Sequence, residues 1–63
     1  MGEFKPRDRV LVNIYGILYP GTVVNVSDYR EPSMKYAVDL DVYKEDLMFV
    51  PESALIKEDV GNA

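Results

Sequence analysis

A chain of 63 residues makes one domain, and one that buries only roughly 60% of the surface its unfolded form exposes. It has neither cysteine nor histidine, which excludes disulfides and thiolate or imidazole zinc sites and leaves a closed sheet or burial between subunits as the means of stabilisation. Eleven Asp and Glu against seven Lys and Arg give a net charge of -4, which disfavours nucleic acid as the main partner.

No apolar run approaches the roughly 18 residues that span a bilayer, and residues 1–6 carry no apolar signal core. A soluble, cytoplasmic protein with no membrane partner is expected. Lys5, Arg7 and Arg9 form a small basic group, balanced by Glu3 and Asp8, as on an ordinary mixed-charge surface.

In chain order, 4–9 reads as an entry segment in which Pro6 opposes helix. Val10, Val12 and Ile14 alternate with Leu11 and Asn13, the period of a strand with one buried face. Tyr15-Gly16 supplies a tight turn, Gly16 taking a positive φ. Residues 18–27 read as one long strand that bends strongly at Pro20-Gly21, so that a single strand serves both halves of a small barrel.

The polar stretch 28–33 is a loop. Over 34–41 a third strand places Tyr36, Val38 and Leu40 on one face and Ala37, Asp39 and Asp41 on the other. A connection over 42–46 leads to the apolar run Leu47-Met48-Phe49-Val50. Residues 51–54 fit one helical turn with Pro51 at its first position, and 55–57 form a closing strand. The domain spans 1–63, ordered from about 5 to 57, with 58–63 as a charged and small-residue tail. The fold expected is all-β: a five-stranded SH3-like barrel with one short helical turn before the last strand.

Asp8-Arg9-Val10, Gly16-Ile17-Leu18-Tyr19-Pro20-Gly21-Thr22-Val23, Tyr36-Ala37-Val38-Asp39-Leu40-Asp41 and Val50-Pro51-Glu52-Ser53-Ala54-Leu55 resemble a Tudor domain, itself a five-stranded SH3-like barrel. Many Tudor domains bind methylated lysine or arginine in an aromatic cage, through cation–π attraction. Carried over by position, the resemblance puts Tyr15 or its neighbour near the first cage aromatic, Tyr19 at the second and Tyr43 at a further one. Leu40 stands where another aromatic is usual and Glu45 where Asn is usual, while Asp41 and Glu45 add negative charge beside the rim. Read without the resemblance, the three tyrosines are half-buried barrel residues with exposed hydroxyls.

A second resemblance, over 4–10, Tyr36-Ala37-Val38-Asp39 and 51–55, is to the type II dihydrofolate reductases, SH3-like chains that form tetramers around a central active-site pore. That family has Val-Gln-Ile-Tyr before the proline, its Gln and Tyr lining the pore; here Leu47-Met48-Phe49-Val50 stands there. Met48 cannot supply a glutamine's paired donor and acceptor and Val50 has no hydroxyl, so the activity does not carry over. The mode of assembly does carry over as an expectation, with Met48 and Val50 at subunit contacts.

No catalytic, metal or cofactor residue is assigned. Asp39, Asp41, Glu45 and Asp46 are the one acidic group of note, and read as a solvated face beside a hairpin. A non-enzymatic module is expected, binding a protein or peptide with a basic or methylated side chain at Tyr15, Tyr19, Asp41, Tyr43 and Glu45. The alternatives are a homo-oligomer holding a small molecule in a central pore, and a nucleic-acid-associated regulatory module using Lys5, Arg7 and Arg9.

Overall fold

The computed structural model describes residues 4–42 and 46–58. Five strands form one antiparallel sheet: β1 (Arg9–Ile14), β2 (Ile17–Val26), β3 (Tyr36–Leu40), β4 (Leu47–Val50) and β5 (Leu55–Lys57), in the order β4-β3-β2-β1-β5. Single 3-10 turns at Pro32–Met34 and Glu52–Ala54 precede β3 and β5. Among the described residues no helix is long and apolar enough to cross a membrane.

β1 and β2 form a hairpin closed by the two-residue loop Tyr15-Gly16, with φ of 52° and 85°. Two successive positive φ values match the twist of the strands they join, and the Gly16 N–H donates to Asn13 Oδ1 at 2.9 Å. The sequence pointed to Gly16 for this conformation; Tyr15 shares it.

β2 pairs with β1 over its first six residues and with β3 over its last six, so Gly21 and Thr22 belong to both ladders. The register with β1 runs through Pro20 and Gly21 without a break. The irregularity falls later, between Val23 and Asn25, where Val24 is the extra residue. Pro20 is tolerated because its carbonyl, not an N–H, is what β3's end uses: Asp41 N–H donates to Pro20 O at 3.0 Å.

β3 is shorter than its apolar pattern suggests, because Met34 is taken up by the Pro32–Met34 turn. Before β5, Pro51 is extended at ψ 166° and caps the turn instead of occupying its first position.

Cross-strand register sorts the side chains into two faces. The inner one carries Val10, Val12, Val23, Tyr36, Val38, Leu40, Val50 and Leu55, which with Phe4 make one buried cluster. Val50 and Leu55 come from strands at opposite edges of the sheet, so the sheet curls around a single core. On the outer face lie Arg9, Leu11 and Asn13 of β1, Leu18, Pro20 and Thr22 of β2, Ala37 and Asp39 of β3, and Leu47 and Phe49 of β4.

Ala37 faces outward yet is only 1% exposed. It lies in register between Asn25 and Phe49, and Arg30 reaches both, donating to Asn25 Oδ1 at 3.0 Å and stacking 5.0 Å from the Phe49 ring centre. The Arg30 side chain therefore roofs the alanine. Its other donors tie the preceding loop, to Met34 O at 2.7 Å and Lys35 O at 3.0 Å. Beside it, Asp28 raises the pKa of Lys35 through a hydrogen bond.

The entry segment is a turn with the geometry of type II. Asp8 N–H donates to Lys5 O at 3.0 Å, Pro6 stands at the second position and Arg7 at the third, with φ 81°. That third position favours glycine. Replacement Arg7→Gly relieves left-handed strain of about 1–2 kcal/mol and adds about 0.5–1 kcal/mol of unfolded-state entropy. A net gain of about 0.5–1 kcal/mol is expected, which raises Tm by about 3–6 °C. A lower Tm for Arg7→Gly in a thermal melt would count against a strained arginine.

Candidate functional site

The hairpin end gathers several exposed apolar and aromatic side chains. Tyr15 is fully exposed at the loop, and Ile17 and Leu18 just beyond it are 56% and 45% exposed. Ile17 pairs with Ile14 on the inner side, past the last layer of the core, while Leu18 pairs with Asn13 on the outer side. Tyr19 faces inward opposite Val12 and packs half-buried against the core. Asp41 N–H donates to Pro20 O, and Val42, the next residue, is 60% exposed.

Tyr15, Ile17, Leu18 and Tyr19 thus lie together at one end of the β1–β2 hairpin, on both faces of it. The two positive φ values and the Asn13 bond define the backbone of the two-residue loop that carries Tyr15. Ile17, Leu18 and Val42 were not singled out in the sequence. The signal was there: three consecutive apolar residues after a two-residue turn cannot all face one core.

Asp41 lies on the other side of the sheet from the Tyr19 ring. Its carboxylate takes both ends of the Arg9 guanidinium, at 2.9 and 2.7 Å. Arg9 also donates to Glu58 Oε1 at 2.8 Å and Thr22 Oγ1 at 2.9 Å, so it joins β1, β2, the end of β3 and the residue after β5. Bonding first to Asp41 and then to Glu58 raises the Arg9 pKa further above its usual value. With the pairs about two-fifths exposed at Arg9, each contributes at most about 1 kcal/mol.

This arrangement separates the residues expected at the rim. Tyr15 and Tyr19 share the hairpin end; Asp41 supplies its charge to Arg9 on the outer face; Tyr43 and Glu45 lie outside the described residues. It also separates the basic group, since Arg9 faces two carboxylates while Lys5 and Arg7 sit in the exposed entry turn. Among the described residues no three acidic side chains converge as a metal site.

Met48 and Val50 are on the inner face of β4: Val50 belongs to the core and Met48 packs partly buried against it. The outward pair on that strand is Leu47 and Phe49, 48% and 40% exposed.

Comparison of the chain with known protein families, curated proteins and solved structures finds no match.

Proposed function

We propose that the chain is a small SH3-like, Tudor-like barrel serving as a non-enzymatic interaction module, which takes a protein or peptide at the β1–β2 hairpin end. The strand order, the sharing of β2 between two ladders and the single core fed from both edges support the barrel. The observation that carries the binding reading is the exposure of Tyr15, Ile17 and Leu18 at one hairpin end, with Val42 also exposed.

Exposing such a group costs hydrophobic free energy that a partner recovers, at about 25 cal/mol per Å² covered. Tyrosine suits the role, giving a large contact at low entropic cost and a ring face that attracts cations. With Asp41 engaged by Arg9, recognition here rests on ring faces and apolar contact more than on carboxylate charge. A basic or methylated side chain enters against Tyr15 and Tyr19, and its apolar stem covers Ile17, which lies on the same side of the sheet as Tyr19.

An amide NMR titration with three peptides differing only in a central lysine, trimethyl-lysine or norleucine tests this. Shifts should concentrate on residues 13–19 and Val42, and should be larger for the cationic peptides. Tyr15→Ser with Leu18→Ser should weaken binding about tenfold or more while leaving Tm nearly unchanged. Shifts elsewhere on the sheet, or none with any of the three, would discard the hairpin end as the site.

A further inference from the structure

The two edges of the sheet are unlike. β5 is three residues long and ends in Lys57 followed by Glu58, charges that blunt an edge against pairing. β4 is also short, with Asp46 before it and Pro51 after it, but the strand itself is unprotected. Leu47-Met48-Phe49-Val50 has no charge and no proline, and its register with β3 is regular. Among the described residues its outer side meets no strand, and no backbone hydrogen bond joins it to a loop.

From this edge we infer that β4 pairs with β4 of a second copy, antiparallel about a twofold axis at Met48, extending two five-stranded sheets into one of ten. Residues opposite each other in an antiparallel pair point to the same face. A twofold that continues both faces must therefore pass through a residue, not between two. Centred on Met48, it sets Leu47 against the Phe49 of the second copy on the outer face, and Met48 against its own equivalent on the inner one. Centred on Phe49, it would bring the two Arg30 side chains together, since each lies over a Phe49 ring.

Charge selects the same register and the same occupant. The strand begins at exposed Asp46 and ends beneath Arg30, so it has an acidic end and a basic end. Antiparallel pairing with itself puts the acidic end of each strand against the basic end of the other. The joint is short, so the dimer is modest in affinity, with half-dissociation at about 10–100 μM.

Sedimentation equilibrium on the full chain, from about 5 μM to about 1 mM, should show reversible dimerisation. Leu47→Lys, at an exposed position, should raise the dissociation constant about tenfold or more without lowering Tm. The absence of cysteine permits an independent test. Paired residues in such a ladder have Cα atoms about 4.5–5.5 Å apart, within disulfide range, so Met48→Cys should oxidise readily to a covalent dimer. Ile56→Cys, on the opposite edge, should not. A monomer at all concentrations overturns the inference, as does a dimer that survives Leu47→Lys or cross-links as fast at Ile56→Cys. If Leu47→Lys does not fold, the cysteine pair decides. Tyr15→Ser and Leu18→Ser should leave the dimer intact, which keeps this outcome separate from the hairpin reading.

Discussion

Gly21→Ala is expected to destabilise the fold by about 3 kcal/mol or more, a large share of what so small a domain possesses. Gly21 is buried on the inner face, paired with Val10 on one side and Leu40 on the other. A Cβ built there would lie 2.9 Å from the Asp39 carbonyl oxygen, 2.9 Å from Val38 Cγ1 and 3.2 Å from Leu40 Cδ2. The carbonyl belongs to β3 and cannot retreat without loosening the ladder, so the methyl costs packing and hydrogen bonding together. The position requires glycine for close approach, at the point where β2 passes from one partner to the next.

Gly16 supplies the control. It has φ 85° and open space where a Cβ would go. Gly16→Ala therefore meets only the left-handed backbone penalty, about 1 kcal/mol. Chemical denaturation of the two variants should rank Gly21→Ala well below Gly16→Ala. Equal losses would mean that β2 and β3 do not approach closely at Gly21.

Those two glycines also mark how far the sequence could be read. Strand periodicity located β1 and β3, because one face of each is buried and the alternation of Val10, Val12 and Ile14, or Tyr36, Val38 and Leu40, is forced by that burial. β2, β4 and β5 were legible as a bent strand, an apolar run and a short closing segment. The Pro20-Gly21 step was legible as special; the register irregularity at Val24 was not, since no residue type announces it. Likewise nothing local distinguishes Ala37 from an exposed residue. Its burial depends on Arg30, seven positions earlier, lying across it.

The candidate site was legible in its aromatics and not in its charge. Tyr15 and Tyr19 follow from one hairpin, a local feature. The role of Asp41 depends on a partner 32 residues away, and only the assembled sheet sets Arg9 between Asp41 and Glu58. Composition treats the three as separate surface charges.

Phe4→Ala should cost about 3 kcal/mol, the second large effect, although Phe4 precedes the first strand by five residues. Its ring is 8% exposed and meets Tyr36 edge to face, with centres 5.9 Å apart and planes at 86°. Tyr36 is itself 1% exposed and pairs with Val26 and Val50, so Phe4 covers the core where β2, β3 and β4 meet. Truncation leaves a void that the entry turn cannot fill, because Arg7 N–H is bonded to Val23 O at 2.7 Å and Val23 N–H to Asp8 O at 2.9 Å. Phe4→Leu should keep most of the packing and lose about 1 kcal/mol, the edge-to-face share. A double-mutant cycle of Phe4→Leu with Tyr36→Leu should return a coupling of about 0.5–1.5 kcal/mol. If urea denaturation instead gives Phe4→Ala the stability of the parent chain, the N-terminal segment is not part of the core, and the entry turn's bonds to Val23 must hold it in place alone.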